Sequence, residues 1–444
     1  MNPILQLDAV ELRDRLARGA LRAVELAEAC LEEIGRREPE VGAWAYLDGD
    51  HVMAQAKSLD DHRTRGRPIG PLHGLPVGLK DIIDTAGLPT ENGTPLDAGR
   101  KPAEDAYVVQ RLKRDGAVIM GKTVTTELAL RHPGKTRNPH NPAHTPGGSS
   151  SGSAAAVAAG MVPFALGTQT LGSVIRPASF CGVVGFKPTF GAIPRRGVLS
   201  QSPSLDTLGV FAGSVGAAAL LADSLFGYDA ADSATTLAPA PRLFETAIGD
   251  APVKPTFAFV RQPAWDTASP EMQEGFTELQ EALGDDCDEV ELTSHFAEAL
   301  RFSETVQLAE LAKSYYHYER RGRDQLSAGM QKAIDGGRSI LAHDYLAARD
   351  WPVLLNDVLE AIFSRYDVIL TPAAPGPAPE GLESTGSAAF NAIWTFCGVP
   401  AVTLPLLRSE SGLPMGVQLV GRRGDDGRLL RSARWLVNFL SNAA

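Results

Sequence analysis

Gly147-Gly-Ser-Ser-Ser-Gly-Ser-Ala-Ala-Ala-Val-Ala-Ala-Gly160 contains only Gly, Ser and Ala apart from Val157. Composition alone describes a flexible linker. Two features oppose that reading. The half from Ser153 to Ala159 is rich in alanine, the strongest helix former, and the strand-like run Val162 to Leu166 follows directly. A Gly-Ser loop feeding a helix leaves backbone N–H groups unpaired, so it can cradle a phosphate or a developing oxyanion. The Lys-Ser/Thr ending of a phosphate-binding loop is missing, which favours the oxyanion.

Working outward, short β-branched runs at Val77 to Ile83 and Ala117 to Met120 alternate with helical stretches around Asp105 to Arg114 and Thr123 to Arg131. Strands separated by helices predict an α/β layered sheet. Residues 7 to 37 carry leucines and valines at helical spacing among charges, interrupted by Gly19, and read as two short amphipathic helices. A charge-rich helical region is expected from Pro270 to Ile362, broken by a solvated acidic turn at Asp285 to Glu291. Asp367-Val-Ile-Leu370 reads as a buried strand entering the Pro-rich loop Thr371 to Glu380, and strand-like Ala401 to Leu404 and Gly416 to Val420 follow. One continuous domain over 1–444 is expected, with a helical part at 1–66, a core at 67–215, and helices plus returning strands at 216–444. No repeat is visible.

The 444 residues are 44% hydrophobic and 21% charged, enough to bury a sizeable core. Glycines number 44 and prolines 31, about one residue in six and below the level of low-complexity disorder. The net charge of −11 repels phosphate backbones and anionic lipid, so neither nucleic acid nor a membrane surface is expected as a direct partner. Cys30, Cys181, Cys287 and Cys397 are far apart and form no CxxC pair; buried free thiols are expected. No basic-then-apolar leader opens the chain, so a cytoplasmic soluble protein is expected, and Asn92-Gly93-Thr94 reads as a turn rather than a glycosylation site.

Other chemistries fit poorly. Gly148-Ser-Ser-Ser-Gly152 matches the GxSxG elbow, but Pro139, Pro142 and Pro146 precede it where a central strand is required, and His295, His317 and His343 stand in no telling context as bases. His140 and His144 have the spacing of a metal-binding helix, yet Pro142 lies between them, so no metal is expected.

A second serine lies in Gly167-Thr-Gln-Thr-Leu-Gly-Ser-Val-Ile-Arg-Pro177, and a lysine lies upstream in Gly74-Leu-Pro-Val-Gly-Leu-Lys-Asp81. Together with the Gly147 to Gly160 stretch, Phe180-Cys-Gly-Val-Val-Gly-Phe-Lys-Pro-Thr189, Ser204-Leu-Asp-Thr-Leu-Gly209, Gly398-Val-Pro-Ala-Val402 and Gly412 to Gly421, these segments resemble the amidase signature family over most of the chain. The resemblance implies a large mixed, twisted β-sheet covered by helices on both faces, and a Ser-cis-Ser-Lys triad needing no cofactor. Carried over by position, Ser173 is the nucleophile, Ser149 the bridging serine and Lys80 the general base. Backbone N–H groups of Thr170, Leu171, Gly172 and Ser173 form the implied oxyanion hole, and Gly148 and Ser150 are expected beside the substrate.

The chemistry is consistent with those roles. A serine hydroxyl needs a base, and a lysine serves only when neutral, which burial among Leu75, Val77, Leu79, Ile82 and Ile83 promotes. From the residues alone, Lys80 could instead pair with Asp81 or Asp84, and Ser149 could cap the alanine-rich helix. Leu171 stands where the family usually has a glycine, and would narrow the acyl pocket or shift the donors. Val174-Ile175-Arg176-Pro177 is closer to malonamidase-like enzymes than to the glutamine-hydrolysing chain of tRNA-dependent amidotransferases. In that group the arginine binds a substrate carboxylate; a salt bridge with an acid such as Asp206 is the alternative. Gln169 replaces a common Asp. The expected activity is hydrolysis of a small amide, anilide or carbamate, with esters as side substrates and a homodimer possible. Alternatives are the glutamine-hydrolysing component of a tRNA-dependent amidotransferase or a non-catalytic binding protein on the same fold.

Overall fold

The computed structural model describes residues 2–239 and 241–443. Eleven strands lie among them: β1 (Trp44–Leu47), β2 (Pro76–Lys80), β3 (Val118–Thr123), β4 (Phe164–Gln169), β5 (Val184–Lys187), β6 (Thr207–Ala212), β7 (Phe257–Phe259), β8 (Cys287–Glu289), β9 (Val368–Pro372), β10 (Ala401–Arg408) and β11 (Pro414–Val420). All join one sheet in the order β1-β3-β2-β4-β6-β5-β10-β11-β9-β7-β8. β2 runs parallel to β3 and β4, the middle pairings from β4 to β9 are antiparallel, and β9, β7 and β8 are parallel again. Every residue of β2, β3, β4 and β6 is buried, so both faces of the central sheet are covered, as the expected mixed α/β fold requires.

The two N-terminal helices form at Ala9–Arg18 and Ala23–Val41. Asp8 caps the first by accepting from the Val10 N–H, and Gly19 ends it in the left-handed conformation. The 1–66 segment is not wholly helical, however. Gly42 turns left-handed, the Glu38 carboxylate accepts from the Ala43 and Trp44 N–H groups, and the chain leaves as β1, antiparallel to β3.

Two further expectations are corrected. Thr123 to Arg131 forms no α-helix: Thr123 completes β3, and a short turn at Glu127–Ala129 places Leu128 and Ala129 at φ of 45° and 59°. Bonds to distant segments override helix propensity there. Leu128 donates to the Asn92 carbonyl, its own carbonyl accepts from Tyr315 and Gln201, and Thr126 N–H donates to the Ser149 carbonyl. The acidic stretch at 285–291 contains β8, an edge strand parallel to β7, because side chains on an edge face solvent and tolerate charge. All four cysteines are free thiols; three are buried, and Cys287 on that edge strand is half-buried. Among the described residues no helix is long and apolar enough to cross a membrane.

Candidate active site

Lys80 ends β2 with its side chain fully buried. Its Nζ donates to Ser149 Oγ at 2.7 Å and to Thr168 Oγ1 on neighbouring β4 at 2.9 Å. Burial pushes the ammonium down to about 7, opposed by the Asp206 carboxylate. The alternative ion pairs are not formed. Asp81 faces Lys122 at 3.7 Å, and Asp84 receives two bonds from Arg100 at 2.7 and 2.9 Å.

The Gly-Ser stretch is tightly packed rather than loose. The Gly148–Ser149 peptide bond is cis, and the helix Ser151–Ala158 follows. A Cβ on Gly152 would meet the Ala43 carbonyl at 2.2 Å, so only glycine lets the helix approach β3 so closely. Ser153 Oγ donates to the Leu166 carbonyl at 2.8 Å, tying the helix to β4. Ser149 spends its hydroxyl on Lys80 and caps no helix.

Ser173 sits in the loop between β4 and the helix Ile175–Cys181 and lines a cavity of about 370 Å³. Gln169 Oε1 accepts from the Val174 and Ile175 N–H groups at 2.8 and 3.0 Å, while its Nε2 donates to Thr395 Oγ1 at 2.8 Å. Thr395 Oγ1 in turn donates to the Leu171 carbonyl at 2.7 Å. At the start of the loop, Thr170 Oγ1 donates to Asp206 Oδ1 at 2.6 Å, and Asp206 Oδ2 accepts from the Gln201 and Ser202 N–H groups. With both ends fixed, the N–H groups of Thr170, Leu171, Gly172 and Ser173 donate to no described protein acceptor, and all four residues line the cavity. Ser149 and Ser173 share no hydrogen bond in this structure; Lys80 and Ser149 are bonded to each other, and Ser173 lies at the cavity wall.

Residues 25–430 match the family described as Amidase. The chain belongs to that family. Full-length relatives include the A component of the glutamyl-tRNA(Gln) amidotransferase of Chloroflexus aurantiacus strain J-10-fl, 33% identical with 97% of this chain and 96% of that protein covered. The same component from Synechococcus elongatus is 31% identical over 95% and 96%. Among solved structures, a chain of the unexpected vestigial protein complex described as revealing the evolutionary origins of an s-triazine catabolic enzyme superposes with a TM-score of 0.90 at 28% identity, covering 99% of both chains. The peptide amidase of Stenotrophomonas maltophilia gives 0.84 at 28%, covering 98% and 97%.

In this amidase, Arg176 is buried, 4% exposed, and lines the cavity beside Ser173. Its NH2 donates to the Gly148 carbonyl at 2.6 Å and to Thr385 Oγ1 at 3.3 Å, and its Nε has no partner. The salt bridge with Asp206 does not exist, since that carboxylate is taken by Thr170 and two loop amides. Burial, then repulsion from Arg131, lowers the guanidinium to about 9.

Gly148 and Ser150 are corrected: neither lines the cavity. The Gly148 carbonyl holds Arg176, and Ser150 Oγ bridges the backbone of Thr168, donating to its carbonyl and accepting from its N–H. Leu171 does line the cavity, and the loop amides remain unpaired around it. His140 and His144 bond to the carbonyls of Cys181 and Ala378 at 2.8 Å, and no cluster of three metal-ligating side chains occurs among the described residues.

The sequence reading missed Thr168, considered Asp206 only as a partner for Arg176, and gave Gln169 no role. The available signal was Thr168-Gln-Thr170, a polar run ending the apolar strand β4. Leu300 and Gln307 from the helix His295–Ser314, and Thr385 from the loop after β9, complete the cavity wall.

Proposed function

We propose that this amidase hydrolyses the C–N bond of a small amide whose acyl part carries a carboxylate, through an acyl enzyme on Ser173. The observation carrying the reading is Arg176, a buried guanidinium in the cavity wall with no acidic partner. A buried cation without a counter-ion is costly, and a substrate carboxylate would supply the missing charge through a bidentate contact. Neutral Lys80 draws a proton from Ser149, Ser149 draws one from Ser173, and Ser173 Oγ bonds to the carbonyl carbon. The oxyanion is met by the unpaired amides of residues 170–173, each such donor contributing about 3 kcal/mol. The proton then returns through Ser149 to the departing nitrogen, the C–N bond breaks, and water releases the acid by the same relay. Anilides, carbamates and esters present the same carbonyl and fall within reach of this chemistry.

A second reading is favoured by the amidotransferase relatives, which this chain matches along nearly its whole length. Glutamine is itself a small carboxylate-bearing amide, and on that reading the ammonia would pass to a partner. Purified chain alone is assayed on malonamate, glutamine, acetamide and a matched carbamate, with wild type and Arg176→Ala. Stand-alone turnover of malonamate, lost preferentially in Arg176→Ala, supports the first reading. Glutamine turnover that appears only with a partner protein supports the second. Failure of a fluorophosphonate to label Ser173 would defeat both and leave a binding protein.

A further inference from the structure

Lys80 has two hydrogen-bond partners, and the triad uses only Ser149. The other, Thr168, lines a second cavity of about 190 Å³ behind the active site, together with Ser200 and Asp206. Thr170, Ala129 and Gln201 line both this rear cavity and the one holding Ser173, so they form the partition between them. Thr168, Thr170 and Asp206 all line the rear cavity, and Thr170 Oγ1 bonds to Asp206 Oδ1, so part of its wall is polar and suits water. Val198 and Arg196 lie along its remaining wall.

Resting on the acyl-enzyme reading above, we infer that Thr168 is the outlet through which Lys80 exchanges its proton with solvent while substrate fills the front cavity. The Lys80 ammonium donates to Thr168 Oγ1, the Thr168 hydroxyl passes its own proton to a water of the rear cavity, and that water hands it to bulk base. The lysine is left neutral and Thr168 unchanged. The front route runs through Ser149 toward Ser173 and is blocked by bound substrate. A base that titrates near neutrality, completely enclosed, needs a path that stays open during binding.

The charged groups around this path are few. Asp206 reaches Lys80 from the loop before β6, Asp81 at the end of β2 is paired with Lys122 of β3, and Arg195 and Arg196 are held by Asp232 and Asp229. Thr168 acts through Lys80 and is a positioning residue in this scheme.

The test is an order-of-addition pH jump by stopped flow, using the mono-p-nitroanilide of malonic acid, a carboxylate-bearing anilide, as chromogenic substrate. Enzyme is held at pH 5.5, loaded or not with saturating substrate, and brought to pH 8.5. Wild type and Thr168→Ser should reach full rate without a lag in either order. Thr168→Val should lag only when preloaded, because its lysine can then lose the proton only after substrate leaves. Val198→Phe, which crowds the rear cavity and has no bond to Lys80, should show the same order-dependent lag and serves if Thr168→Val does not fold. A preloading lag in both rear-cavity variants, absent from Thr168→Ser, supports the outlet. No lag in either, a lag independent of order, or a lag in Thr168→Ser overturns it. Absence of wild-type turnover or of fluorophosphonate labelling would instead count against the amidase reading.

Discussion

Replacing Lys80 by methionine should destroy activity and stabilise the protein at neutral and acidic pH. Lys80 is fully enclosed and its ammonium is displaced from 10.5 to about 7 by burial. At about 1.4 kcal/mol for each pH unit, holding the charged form in the folded state costs about 5 kcal/mol at pH 6. The unfolded chain keeps its proton up to about 10.4, so between pH 7 and 10 the unfolded state binds more protons and stability rises with pH. The penalty is therefore complete below pH 7, shrinks to about 2 kcal/mol at pH 9, and vanishes above the unfolded value. Methionine fits the same space without a charge but deprives Ser149 and Thr168 of their partner, a loss of about 1 kcal/mol each. The net gain is about 3 kcal/mol at pH 6, which for a chain of this size raises the melting midpoint by about 3 °C. Near pH 9 the two effects cancel, and at pH 10 the variant should melt below wild type. Differential scanning calorimetry of both proteins at pH 6, 7.5, 9 and 10 reads this directly. A variant that melts below wild type at pH 6, or a difference that does not change with pH, refutes the claim that the base is an enclosed amine held toward its neutral form.

On the proposed relay the neutral amine is the active form, so kcat/KM of wild type should climb through about pH 7 and level off above it; Asp206→Asn removes a carboxylate that favours the ammonium, so its acid limb should move to lower pH. An unmoved or raised limb would remove Asp206 from the electrostatics of the base. Ser173→Ala should abolish turnover and fluorophosphonate labelling while leaving the melting midpoint within about 1 °C, since Ser173 holds no structural bond. Gln169→Leu breaks three buried bonds that fix the loop at residues 171–175, and should lower kcat about 100-fold with a much smaller change in KM. An equal fall in both parameters would mean that Gln169 serves substrate binding instead.

How much of this was legible in the sequence is clearest at the lysines. Lys80, Lys122 and Lys187 each stand at or near the end of a wholly buried apolar strand, and all three are completely enclosed. Strand periodicity therefore places them in the core without separating them. Only partners from remote segments do so. Lys122 meets Asp81, the Ile83 carbonyl and Thr90, and Lys187 bonds to the Pro188 carbonyl with Asp426 nearby. Those are neutralising or acceptor-only surroundings. Lys80 alone bonds to two hydroxyls, groups that can give a proton as well as accept one, and they come from two separate segments, 69 and 88 residues downstream. The order of the motifs supplied the Lys80–Ser149 pairing in advance, whereas the Thr168 bond to Lys80, the Gln169 bonds to loop amides, the Asp206 anchor and the Leu128 turn depend on contacts between segments that no local pattern encodes. The same reasoning explains Arg176. Its position after Ser173 was readable, but its lack of an acidic partner depends on Asp206 being satisfied by Thr170 and two amides, and that satisfaction leaves a cation free in the cavity wall. The site's chemistry thus follows from which buried polar groups the fold leaves without an opposite charge.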